Sequence, residues 1–261
     1  MVSDFIKKKD INKIMNIELI KDNYGLDPVV RETLNYISEN IYESFNTDDD
    51  TKWTISKKTE EIKKHLLEIN TTLRKRTILK LLLSEQITSL IEMMKCINLA
   101  MIKGTHLLMR NIYECIIHIE TFINYDANDD IFKNWVEGKR DERWWHAKEL
   151  EYLERVRKDK KYTKIARETY AVLSEFAHPS IYSNIKVLSK DRESGVYKID
   201  KNWLYQSFLM VIDGCKFVYK FCAEKENVMS KLSQFSNSIG KLMAEHYYSE
   251  KQMKGKSESV R

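Results

Sequence analysis

An all-α fold, a helical bundle with one small β-hairpin insertion near 184–199, is what this sequence predicts, and three observations predict it. Only 2 prolines and 7 glycines occur in 261 positions, which leaves few helix breakers and disfavours sandwiches, barrels and glycine-rich phosphate loops. Hydrophobic residues make up 43% of the chain, enough to fill a core rather than leave the chain disordered. Apolar positions also recur at three-and-four spacing along successive segments, as the buried face of a helix requires.

Asp27-Pro28 reads as an N-cap followed by proline at the first helical position, where a missing amide proton costs nothing. Val30, Leu34, Ile37, Ile41 and Phe45 then repeat on one face until the polar run 46–50. A second, polar helix is expected over roughly 55–70, with Thr71-Thr72 as the joint to a long helix over 73–103. Ile87, Leu90, Ile91, Met94, Ile97 and Met101 give that helix a buried stripe. Gly104 is expected to separate it from "THLLMRNIYECIIHIETFINY" (105–125), which is apolar around nearly its whole circumference and so belongs at the centre of a bundle.

Beyond "DANDD" (126–130) come a short helix near 131–137 and a charged helix over about 140–158, with Trp145, Tyr152, Leu153 and Val156 on one side. A helix over 161–177 follows and should stop at His178, because Pro179 disfavours the helical conformation in the residue before it. "IKVL" (185–188) and "VYKI" (196–199) flank a polar turn and supply the hairpin. Helices over 201–225 and 228–248 complete the pattern. The chain thus divides into an N-terminal helical extension (1–72), a helical core (73–248) and a flexible tail (249–261).

The net charge of +5, from 44 basic against 39 acidic residues, is too mild for a dedicated DNA-coating protein. Cys96, Cys115, Cys215 and Cys222 are scattered through apolar helical segments and read as reduced core thiols. The N-terminus lacks the apolar run of a signal peptide, and the most apolar span, 203–223, carries Asp213, Lys216 and Lys220. A cytoplasmic protein without a membrane span is the expectation. No C-x-x-C pair, H-E-x-x-H, P-loop, Rossmann or nucleophile-elbow pattern occurs, so neither a metal nor another cofactor is expected.

Two polar constellations interrupt this pattern. His106, Arg110, Glu114 and His118 follow one another at intervals of four along the most apolar helix. Tyr170, Ser174 and His178 do the same along the helix that ends at Pro179, where exposed carbonyls favour a protonated imidazole. One reading is structural: an internal Arg110–Glu114 pair sets helix register, the ladder's histidines stand in solvent, and His178 caps its helix. The other is a site in which Arg110, Glu114 and His178 are catalytic, with Asn111, His118, Tyr170 and Ser174 in support. "KRDERWWHAK" (139–148) interleaves bases and rings, so Lys139, Arg140, Arg143 and Trp144 are candidate RNA contacts, unless the stretch is simply an amphipathic helix. "RKRTILK" (74–80) reads as a solvated basic face.

The order "LLMRNIYECIIHIETFINY", then "IFKNWVEGKRDERWWH", then "YAVLSEFAHPS" resembles a group of bacterial helical proteins with an Arg-x3-Glu helix and a later Ser-x3-His helix end. The resemblance spans about 75–225 and is similar in outline to the HEPN superfamily. It implies a helical bundle that dimerises and cleaves RNA without metal, in bacterial antiviral defence, stress or toxin–antitoxin systems, where an antitoxin or other regulatory protein is a partner. HEPN nucleases carry Arg, a polar residue and, four to six residues later, His. Arg110-Asn111 matches that beginning, but His118 follows at a longer interval and Glu114 stands within the window. The resemblance therefore assigns the histidine's role to His178 from another helix. The alternative is a noncatalytic protein-interaction module in which the same Arg/Glu/His cluster is structural.

Overall fold

A computed structural model describes residues 27–42, four positions between 61 and 68, and residues 71–98, 102–124, 142–177, 201–222 and 226–258. They form α1 (Pro28–Ile37) with a following π-helical turn (Ser38–Tyr42), α2 (Thr71–Asn98), α3 (Ile102–Asn124), α4 (Glu142–Arg157), α5 (Lys160–Ala177), α6 (Lys201–Cys222) and α7 (Glu226–Glu258). No strand occurs among the described residues, and the hairpin expected near 184–199 lies outside them.

α1 begins as its sequence requires. Asp27 Oδ1 accepts a hydrogen bond from the Val29 amide at 2.9 Å, which caps an N-terminal donor that the helix itself cannot satisfy. Its apolar face, Val30, Leu34, Ile37 and Ile41, is buried in the same cluster as the residues of the longer helices. Against α7, Tyr36 packs on Phe235 with ring centroids 5.4 Å apart, and Lys231 reaches Glu32 at 2.9 Å.

The centre is made by α2, α3 and α6. Lys75 near the start of α2 donates to Ile123 O near the end of α3, and Gln86 donates to Ile112 O, so these two helices run antiparallel. Arg76 donates to Cys222 O and Gln86 also to Met210 O, so α6 is likewise antiparallel to α2 and hence parallel to α3. Lys75 and Arg76 thus serve as cationic caps on carbonyls that the last turns of α3 and α6 leave over. Lys80 is buried outright, so the expected solvated face over 74–80 is instead an anchoring turn. Gln86 is wholly buried where the three helices meet, and a Cβ on Gly214 would overlap its Oε1 and stand 3.2 Å from its Cδ. Gly214 is therefore the close-approach point of α6 on α2.

α4 and α5 form a hairpin that packs on α3. Lys158 closes it at φ 54°, a left-handed conformation that usually falls to glycine, with its amide donating to Glu154 O at 2.9 Å. Asp159 then caps α5 by accepting from the amides of Lys161 and Tyr162, each at 3.0 Å.

Three expectations change. Gly104 lies inside the first turn of α3 rather than before it, a position where glycine is tolerated because the first amides lack intrahelical partners anyway. α7 runs to Glu258 rather than ending near 248, since no proline intervenes and Glu, Lys and Gln sustain a helix. Val156 is exposed, so the inner side of α4 is made by Glu149, Leu150 and Leu153 instead. The cysteines are free thiols, with Cys115, Cys215 and Cys222 buried. No described helix is long and apolar enough to cross a membrane.

Candidate functional site

Three polar side chains of α3, Arg110, His118 and Glu120, meet partners on the α4–α5 hairpin. Arg110 Nε donates to Glu114 Oε1 at 2.8 Å on its own helix, and Nη2 donates to the Tyr170 hydroxyl on α5 at 2.7 Å. The guanidinium also lies 5.0 Å from the centroid of the Tyr170 ring. Partial burial opposes its charge, but Glu114 and Tyr170 outweigh that and hold the Arg110 pKa above its ordinary value. Tyr113 supports the same corner, donating to Ala166 O at 2.6 Å with its ring 6.2 Å from that of Tyr170.

Two turns further along α3, His118 Nδ1 sits 2.6 Å from Glu149 Oε1 of α4. The Glu149 side chain is 0% exposed and that of His118 19%, so a wholly buried carboxylate grips an imidazole at the edge of solvent. Glu149 Oε2 is buried without a hydrogen-bond partner among the described residues, which leaves the imidazole as this carboxylate's assigned contact. A carboxylate on Nδ1 fixes the ring's orientation and, in the neutral ring, directs the lone pair to Nε2.

A third cluster closes the row. Glu120 accepts from Arg157 at 2.5 Å and from the Tyr162 hydroxyl at 2.7 Å, and the Arg157 guanidinium stacks 4.1 Å over the Tyr162 ring. Burial raises the Glu120 pKa against the opposing pull of Tyr162 and Arg157. The Tyr162 phenol is raised as well, first by burial and then by Glu120.

The structure thus joins some of the sequence candidates and separates others. Arg110, Glu114 and Tyr170 form one contact group. Ser174 does not extend it, since its hydroxyl is buried and makes no hydrogen bond among the described residues. Asn111 belongs to a different face, donating to Glu85 Oε1 at 2.8 Å and Ser89 Oγ at 2.7 Å on α2. His118 is not a solvated helix end but is held by Glu149. His178, Lys139 and Arg140 lie outside the described residues, as do the side chains of Arg143 and Trp144, which fall in the first turn of α4.

Glu149, Glu120, Tyr113, Arg157 and Tyr162 were not singled out by sequence. The signal for Glu149 was its place four residues before Leu153, on the inner face of α4. For Glu120 it was a carboxylate within a helix apolar on all sides, where burial without a partner costs several kcal/mol on the order-of-magnitude scale for charges. No group of three or more metal-ligating side chains occurs among the described residues. Compared with known protein families, curated proteins and solved structures, the chain matches none.

Proposed function

We propose that the chain is a HEPN-like effector that cleaves RNA without metal, with His118 as the proton-transfer group and Arg110 as the phosphate-binding cation. The observation that carries this reading is the His118–Glu149 contact, an imidazole at a solvent edge oriented from behind by a buried carboxylate. In that orientation Nε2 takes the proton of a ribose 2′-hydroxyl. The 2′-oxygen attacks phosphorus and the P–O5′ bond breaks, leaving a 2′,3′-cyclic phosphate and a 5′-hydroxyl once the leaving oxygen is protonated. The protonated imidazole, or His178, returns that proton.

Arg110 precedes His118 by eight residues, about 12 Å of helix rise, so the two address neighbouring points of a strand rather than one phosphate. Glu114 and Tyr170 limit the guanidinium's freedom, which lowers the ordering cost of binding. Dimerisation and an antitoxin partner remain part of the proposal through the family resemblance alone.

A noncatalytic interaction module is the second reading, and one observation favours it: Arg110, His118 and Glu120 all have internal partners. In that case the rungs only hold the hairpin to α3. Incubation of the purified protein with total cellular RNA in chelator separates the readings. Cleavage by wild type but not by folded His118→Asn or Arg110→Ala supports the ribonuclease. Intact RNA throughout supports the module, and retained cleavage in His118→Asn removes His118 from the chemistry. His178→Ala, run beside them, decides whether that histidine shares the proton transfers.

A further inference from the structure

The α4–α5 hairpin holds a concavity of about 900 Å³, and among the described residues the side chains lining it are all charged. Lys148 and Arg155 come from α4, Lys158 from the corner, and Lys160 and Arg167 from α5. Glu151 and Glu154 stand among them, so five cations face two carboxylates. Glu154 neutralises Arg167 only loosely: the two are 3.9 Å apart, with the Arg167 side chain half-exposed and that of Glu154 partly so. Arg157, in the same stretch, is turned away to Glu120.

We infer that this groove binds the sugar–phosphate backbone of single-stranded RNA, independently of base sequence. Among the described residues the lining has no aromatic side chain, and its repeated cations suit a linear polyanion. The two carboxylates select among polyanions. Toward an acidic peptide or a DNA backbone they only repel, whereas ribose 2′-hydroxyls can donate to them.

The site is also held in shape. Arg155 lies 5.8 Å over the Tyr152 ring, whose hydroxyl is fixed to Asn124 O at 2.6 Å, and Tyr162 and Arg157 anchor the corner to Glu120. Lys158 keeps its charge at a left-handed position where glycine would relieve the backbone. On α4 the groove residues Lys148, Glu151 and Arg155 lie away from the inner face made by Glu149, Leu150 and Leu153, so the groove is a second contact surface and not the His118 corner. The choice of RNA rests on the proposed function, but binding is read separately from cleavage.

Fluorescence anisotropy with a labelled single-stranded RNA, a DNA of the same sequence and a polyglutamate peptide tests the groove on the full chain. Wild type and the Arg155→Glu/Lys160→Glu variant are compared across a salt series, with circular dichroism confirming the fold. The expected result is preference for RNA over DNA, no affinity for polyglutamate, and loss of at least about tenfold in RNA affinity in the variant. Its log K–log salt slope should also become shallower by about 1.4, the value for two lost phosphate contacts on a single strand. Unchanged RNA affinity and slope in the variant, equal binding of DNA, or binding of polyglutamate in place of RNA each overturns the assignment. Salt-dependent RNA binding with no cleavage by wild type leaves the groove standing and removes the ribonuclease. Cleavage with an unchanged variant does the reverse.

Discussion

His118 of α3 and Glu149 of α4 meet at 2.6 Å, with the carboxylate wholly buried and the imidazole at the surface. Removing one member of such a pair strands the other. His118→Ala should therefore destabilise the fold by about 3–5 kcal/mol. His118→Asn, whose amide can replace the Nδ1–H donor, should cost about 1 kcal/mol or less. Chemical denaturation of the two variants measures the difference, and only the asparagine variant is a fair test of catalysis. Equal losses would show that Glu149 does not depend on the imidazole.

Tyr170→Phe removes the hydroxyl that accepts from Arg110 but keeps the ring beneath the guanidinium. The expected loss is about 1–2 kcal/mol of stability, the range for a hydrogen bond to a charged group in a half-buried setting. If Arg110 binds phosphate, the same variant should weaken RNA affinity while leaving the pH dependence of cleavage unchanged, since the proton-transfer group is His118. Equilibrium unfolding and a pH–rate profile check both parts.

Gly214→Ala would ordinarily favour a helix by about 1 kcal/mol. Here the added methyl overlaps Gln86 Oε1 and dislodges the amide from Ile112 O and Met210 O. A net loss of about 1–3 kcal/mol is expected. A double-mutant cycle with Gln86→Ala should show strong coupling, because the methyl then has room. Additive losses would rule out the clash.

Glu120 binds its proton more tightly in the folded chain than its ordinary value of 4.5 implies, because burial outweighs the help of Tyr162 and Arg157. Between 4.5 and that raised value the folded state holds more protons than the unfolded state, so this residue's contribution to stability falls as pH rises through the window. Below 4.5 both states are protonated and the contribution is level. Thermal unfolding of wild type and Glu120→Gln across this range should show the wild type gaining on the variant as pH is lowered. A constant difference would show that the carboxyl titrates normally.

Lys158→Gly should stabilise the protein by about 0.5–1 kcal/mol by relieving the left-handed backbone. It should also weaken RNA binding by removing a groove cation. Calorimetry and the anisotropy assay read the two effects in one variant, and a destabilised Lys158→Gly protein would mean that the lysine side chain holds the corner.

The helices were legible because their signals are local. Asp27-Pro28 caps α1 as its residue types dictate, and Ile87, Leu90, Met94 and Ile97 of the expected stripe are buried on α2, with Ile91 partly so. The Arg110–Glu114 pair was legible for the same reason, being one turn apart. What escaped is set by packing between distant segments. Gln86 reads as an ordinary polar position until α3 and α6 close over it, and Glu149 reads as one more charge in "KELEYLERVRK" until His118 meets it. Lys75 and Arg76 likewise become caps only when the ends of α3 and α6 arrive beside them.

The placement of the hairpin has a dynamic consequence. α2, α3 and α6 interlock through Gln86, whereas α4 and α5 attach through the rungs at Tyr170, Glu149, Arg157 and Tyr162 and by burying Leu150, Leu153, Ala166 and Leu173 in the common core. The expected consequence is that the hairpin opens as a unit while the inner helices stay assembled, its amides exchanging with solvent before theirs in a hydrogen-exchange measurement. The seam along which it would lift is the row of rungs itself, so that opening would expose Arg110 and His118 further.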